Sequence, residues 1–185
     1  IKLEGIWEDN FNLIEAQYVS DLVFKVTEEY PGKDIGVVTF NARQQDIIQD
    51  LIEEKSIEKG IFIPENLFVK NIENVQGDER DIIIFSLTHG PDKKGKLNMQ
   101  FGSLNIINGE NRLNVAITRA KEKVYVVTSF YPQEMTTEHL KNEGPKLLRK
   151  YLEYAYNVSS KKYKPEIRPA INANANWYLK NKLLK

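Results

Sequence analysis

The sequence contains no cysteine. That excludes a disulfide framework, a thiolate metal site and a cysteine nucleophile. Only two histidines are present, His89 and His139, too few for a histidine-rich metal site, and no metal-ligand set is read from the residues. Long apolar runs are missing as well. The uninterrupted stretch Ile82 to Phe85 holds four residues, whereas a membrane-spanning helix needs roughly 20. No secretory leader is visible, so no membrane partner is expected and the cytoplasm is the expected compartment. The first residue is Ile1 rather than Met, and the chain reads as a piece of a longer protein.

What is present suits one globular domain with room for a short appendage. The 185 residues are 41% hydrophobic and 28% charged. A chain of this size buries about two-thirds of its unfolded surface. Basic and acidic residues balance at 26 each, but unevenly along the chain. Residues 141–185 hold eleven Lys/Arg and three Asp/Glu, a net of +8, which leaves −8 for residues 1–140. A basic end of this kind suits nucleic acid or a neighbouring domain, or is a solvated lysine-rich tail.

Strand-like and helix-like segments alternate. Leu3 to Trp7 reads as a short strand. Asn12 with Glu15, and Asn41 with Gln44, read as capping boxes in which each pair satisfies its own exposed backbone donors. The first opens a helix over Leu13 to Tyr30, stopped by Pro31-Gly32; the second opens a helix whose apolar stripe is Ile47, Ile48, Leu51 and Ile52. Further strands are expected at 35–40, 67–70, 81–87 and 124–128. The 81–87 segment is apolar on both faces, as in parallel sheets covered on both sides. Helices are expected over 110–121 and 144–156. The pattern predicts a parallel α/β sheet with right-handed crossovers, whose ligands bind at the carboxyl ends of the strands.

Gly90-Pro91-Asp92-Lys93-Lys94-Gly95-Lys96 fits the phosphate-loop pattern G-x-x-x-x-G-K. Leu97 stands where magnesium needs a Ser or Thr hydroxyl. Residues 98–103 lack helical periodicity, so no helix amino end faces a phosphate, and Pro91 removes a backbone donor. The match is therefore read as a Lys/Gly surface loop, which leaves the idea of a self-sufficient small NTPase or kinase with little support.

Two segments carry chemistry. Val75-Gln76-Gly77-Asp78-Glu79-Arg80-Asp81 leads into the buried strand; Gly77 allows a close backbone approach and Glu79 is a carboxylate at the sheet edge. In the second, Gly109 to Lys121, helical spacing places Leu113, Ala116, Ile117 and Ala120 on one face. The same spacing puts Arg112 and Arg119, seven residues apart, beside it. Arginine held on a packed face suits a phosphate arriving from another surface; a surface ion pair is the bland alternative.

Together these segments resemble the second motor domain of a superfamily 1 helicase, of the group that includes the nonsense-decay RNA helicase. Residues 75–86 resemble motif V and residues 112–121 resemble motif VI. Residues 36–41 with Gln44-Gln45 resemble the strand and turn that read Gly-Val-Ile-Thr-Pro-Tyr, with a following Gln, in that family. The resemblance covers residues 1–130 and implies a RecA-like, P-loop NTPase-type α/β fold with helices on both faces of a mostly parallel sheet. Beyond it, residues 131–156 read as a helical extension and residues 157–185 as a polar basic tail or linker. The resemblance implies an arginine finger at Arg119 and nucleotide contacts from Gln76, Gly77, Glu79 and Arg112. It implies nucleic-acid contacts along Thr39, Phe40, Asn41 and Asn71. Phe40-Asn41 replace the family's Pro-Tyr, and Asn71 stands where the family often has Ser or Thr. The implied cofactors are ATP and Mg2+, bound mainly by an upstream RecA-like domain that carries the phosphate loop and the Asp-Glu motif. The implied partners are that domain and single-stranded DNA or RNA. The alternative from the same residues is a catalytically inactive helicase-like module that binds nucleic acid or protein.

Overall fold

The computed structural model describes residues 1–161, in the order α1 (Leu13–Glu29), β1 (Ile35–Thr39), α2 (Ala42–Lys59), β2 (Phe68–Asn71), β3 (Arg80–Ser86), α3 (Gly109–Ile117), β4 (Ala120–Val127) and α4 (Glu143–Ser159). The tail expected over 157–185 lies outside the described residues from 162 onward; residues 157–159 are still helical.

The four strands form one parallel sheet in the order β2-β1-β3-β4. Successive side chains of a strand point to opposite faces, and the cores divide accordingly. Ile82 and Ile84 of β3 join Val37, Val69 and the α1 and α2 residues Val19, Val23, Ile48 and Ile52 on one face. Ile83 and Phe85 join Val38, Phe68, Leu113 of α3 and Leu147, Leu148 and Leu152 of α4 on the other. A strand sealed on both sides has no polar alternation, which is why Ile82 to Phe85 is uninterrupted. This is the expected α/β architecture of a RecA-like domain, with helices on both faces. The helix beyond residue 130 is built into that core: Tyr151 meets Phe85 edge to face, with ring centroids 6.1 Å apart.

Two expected elements differ. The strand expected over Leu3 to Trp7 shrinks to a single parallel bridge, Lys2 to Thr128, flanking β4. Beyond it, at Gly5, the chain passes so close to the α1 cap that a Cβ there would stand 2.3 Å from Asn12 Oδ1. The helix expected over 110–121 stops at Ile117, and Ala120 and Lys121 already belong to β4. Pairing decides this: the Arg80 amide donates to the Arg119 carbonyl at 3.0 Å and Ala120 sits opposite Arg80. The apolar face expected to include Ala120 therefore loses that member.

Candidate functional site

At the amino ends of β3 and β4 the chain turns out of α3 through Thr118 and Arg119. The Arg119 guanidinium is held from behind: Nε donates to the Val115 carbonyl (2.9 Å) and Nη2 to Thr118 Oγ1 (3.0 Å). Thr118 in turn donates to the same carbonyl at 2.9 Å. A guanidinium has five N–H donors, so these bonds leave Nη1 uncommitted. That edge faces Glu79, whose Oε1 is 3.9 Å from Nη1. This is ion-pair range but too long for a hydrogen bond. The Arg119 side chain is 17% exposed and that of Glu79 53%. Arg119 is thus largely buried and Glu79 half-exposed, and no hydrogen bond joins them, so Glu79 does not lock the guanidinium in one geometry.

Gln76 and Gly77 lie on the exposed turn that brings the chain from β2 toward Glu79. Asp78 N–H donates to the Val75 carbonyl at 3.3 Å, and Gly77 has φ +88, the left-handed value such a turn requires. Arg112 is not beside Arg119. It sits in the first turn of α3, half-buried, whereas Arg119 lies past the end of that helix, so the expected common face does not form. Arg112 makes no ion pair with a described residue.

The carboxyl ends of the strands are organised differently. Thr39 and Phe40 are buried, the latter in the core beside Phe85. Their side chains are thus withdrawn from the surface on which strand contacts were expected, leaving Asn41 and Asn71 there. Asn41 Oδ1 caps α2 by accepting from Gln44 N–H at 2.9 Å, and Nδ2 donates to the Asn10 carbonyl at 2.9 Å. Asn71 receives a Glu73 amide on Oδ1 (3.0 Å), and its own amide goes to Gln45 Oε1 (2.9 Å).

Neither capping box closes on itself. Asn12 Oδ1 accepts from Glu15 N–H at 3.1 Å. The return bond to Asn12 N–H, however, comes from Gln44 Oε1 of α2, at 2.9 Å. Gln44 Nε2 donates to the Asn12 carbonyl and to Ser86 Oγ, each at 3.2 Å. The Glu15 carboxylate, fully buried, accepts instead from Ser86 Oγ (2.8 Å), Thr88 N–H (2.6 Å) and Ser129 Oγ (3.3 Å). Thr88 is left-handed, at φ +67, an unusual state for a β-branched residue. Burial pushes the Glu15 carboxyl up to about 7, against the opposing pull of those donors. Sequence reading missed this cluster because the i, i+3 spacing that signals a local box is satisfied equally by partners on another helix.

The phosphate-loop mimic folds as a closed hairpin. Asp92 Oδ1 accepts from Lys94 N–H (2.8 Å) and Lys96 N–H (2.9 Å), occupying amides that a phosphate would need. Pro91 and Leu97 form an antiparallel bridge in place of a helix start. Among the described residues no group of three or more His, Asp and Glu is placed to hold a metal. None of their helices is long and apolar enough to cross a membrane. For ATP and Mg2+, the residues fit one wall of a site: a carboxylate and an outward guanidinium edge at the amino rim, with no phosphate cradle at 90–96.

A family model described as an AAA domain matches residues 4–130. An uncharacterized ATP-dependent helicase of Mycoplasma genitalium, MG140, is 41% identical over 165 residues, 82% of this chain and 14% of its own length. The DNA polymerase alpha-associated DNA helicase A of Schizosaccharomyces pombe is 32% identical over 127 residues, 68% of this chain and 17% of its length. Helicase sen1 of the same yeast is 26% identical over 121 residues, 63% of this chain and 6% of its length. The chain thus spans less than a fifth of each of these relatives. Its parallel sheet and the matched residues agree: the chain belongs to the AAA domain family and is a helicase-type RecA-like domain.

Proposed function

We propose that this chain is the second motor domain of an ATP-dependent nucleic-acid helicase or translocase of superfamily 1. It completes an ATP site together with an upstream RecA-like domain and supplies part of the single-strand track. One observation carries the reading: Arg119 is braced at Nε and Nη2 while its Nη1, without a hydrogen bond, faces the half-exposed Glu79 at the amino rim. A pre-oriented, permanently charged group of this kind serves charge that develops on a transferring phosphoryl. Glu79, on the same rim, is the ribose-side carboxylate, and Gln76 and Gly77 form the turn beside it. Arg112, at the other end of α3, is a poorer candidate for nucleotide contact than for contact with a neighbouring surface. ATP supplies the phosphoanhydride whose cleavage drives movement; the phosphate cradle and the carboxylates for Mg2+ belong to the upstream domain. On the carboxyl rim, Asn41 and Asn71 border the strand through polar groups, while Thr39 and Phe40 shape that border through their backbone.

The test uses the full-length protein. Arg119→Ala should lower nucleic-acid-stimulated ATP turnover about 10³-fold or more, with nucleotide affinity changed only a few fold. Unchanged turnover would remove the finger assignment. The isolated 185-residue chain should show no ATP turnover.

A further inference from the structure

α2 opens with a charge of the wrong sign. Arg43 stands in its first turn, where unpaired amides carry partial positive charge, and no acidic residue shares that turn. A cation there is disfavoured by the helix dipole unless an anion lies nearby. Arg43 is exposed. Among the described residues none forms an ion pair or a side-chain hydrogen bond with its guanidinium. Asp46 and Asp50, the acids nearest in sequence, are exposed and unpaired with it.

The guanidinium is nevertheless held in place. It lies over the Phe11 ring, 5.2 Å from the centroid. Phe11 is fixed by a tight hairpin in which Glu8 and Phe11 exchange backbone bonds of 3.0 Å. The hairpin turns through two left-handed residues, Asp9 (φ 50) and Asn10 (φ 65), the conformation of a type I′ turn. Asn41 Nδ2 donates to the Asn10 carbonyl, which ties this hairpin to the α2 cap. An aromatic face beneath a guanidinium restricts its rotamers and leaves its N–H edge pointing outward. An uncompensated cation, pre-oriented and exposed on the same rim as Asn41 and Asn71, lacks only its anion.

We infer that Arg43, braced by Phe11, contacts a phosphodiester of single-stranded nucleic acid on the carboxyl rim. The inference rests on the helicase reading above and extends the track to two residues to which the resemblance assigns no contact. A phosphodiester is the fitting anion because it is monoanionic and planar guanidinium edges match its two free oxygens. Its approach also relieves the conflict between Arg43 and the helix dipole.

The experiment measures binding of labelled oligo-dT and oligo-rU to the full-length protein across a salt series. In Arg43→Ala and Arg43→Gln, affinity at low salt should fall severalfold. The slope of log affinity against log salt should shrink by about 0.7, the loss of one single-strand phosphate contact. Arg43→Gln keeps the stem over Phe11, so it separates lost charge from lost packing. Arg43→Lys should keep the slope. A wild-type slope in both neutral variants overturns the inference, whether or not affinity falls, since the contact would then be to a base or absent. Arg119→Ala serves as the control and should keep the wild-type slope. If the wild-type protein binds neither oligonucleotide even at low salt, the helicase reading itself fails rather than this contact alone.

Discussion

The two rims of one sheet are built to opposite specifications. At the amino rim, Glu79 and Arg119 face each other across 3.9 Å, with Glu79 half-exposed and no hydrogen bond between them. At the carboxyl rim, Asn12, Glu15, Gln44, Ser86 and Ser129 are buried and bonded to one another across α1, α2, β3 and β4. The first arrangement pairs two charges without a hydrogen bond between them. The second spends buried polar groups on fixing where two helices begin and where β3 turns. A residue of the amino rim should therefore matter for turnover and little for folding, and a residue of the carboxyl network the reverse.

The sharpest way to break that contrast is Glu15. Glu15→Ala strips the acceptor from Thr88 N–H and two hydroxyls and should cost about 2–4 kcal/mol in denaturant unfolding. Arg119→Ala should shift the same curve by less than about 1 kcal/mol. Equal losses would erase the distinction between the rims.

Glu15 also gives the network a pH signature. Its folded-state carboxyl is raised from 4.5 to about 7, so the folded protein holds a proton that the unfolded chain releases. The associated stability is full below about 4.5 and is lost as pH rises through about 7, in total about 3 kcal/mol. Unfolding curves should show the wild type weakening between pH 5 and pH 8. Glu15→Gln, which imitates the protonated form, should lack that weakening. A wild type equally stable at both pH values would show that the carboxylate is ionised at no cost.

Smaller effects sharpen the same comparison. Asn41→Ala removes the α2 cap and the tie to Asn10, and should cost about 1 kcal/mol. Lys96→Ala, in the phosphate-loop mimic, should change neither stability nor nucleotide binding, because the hydrogen bonds between Lys96 and Asp92 run through the Lys96 backbone N–H and carbonyl. Loss of nucleotide binding in that variant would restore the loop as a site.

Much of the fold was legible in the residue order. The four consecutive apolar residues at 82–85 marked the central strand, and the Asn caps at 12 and 41 marked both helix starts. Gly77 marked its turn. These signals are local: periodicity, capping and the left-handed allowance of glycine act within a few residues. Glu79 and Arg119 were singled out as candidates from their segments, but that their side chains stand 3.9 Å apart was not legible.

Tertiary structure decided the rest. Helical spacing continues through Lys121, yet the helix ends at Ile117 because β4 must begin opposite Arg80. That same boundary moves Arg119 off the helical face it would share with Arg112 and onto the amino rim. Gln44 and Glu15 each sit at the right spacing for their own cap and serve elsewhere, since a buried donor takes whichever acceptor packing brings nearest. Sequence by itself determined which residues could do these things, because propensity and polarity are properties of a few neighbours. Only the packed sheet determined which of them meet, because that depends on pairing between segments far apart in the chain.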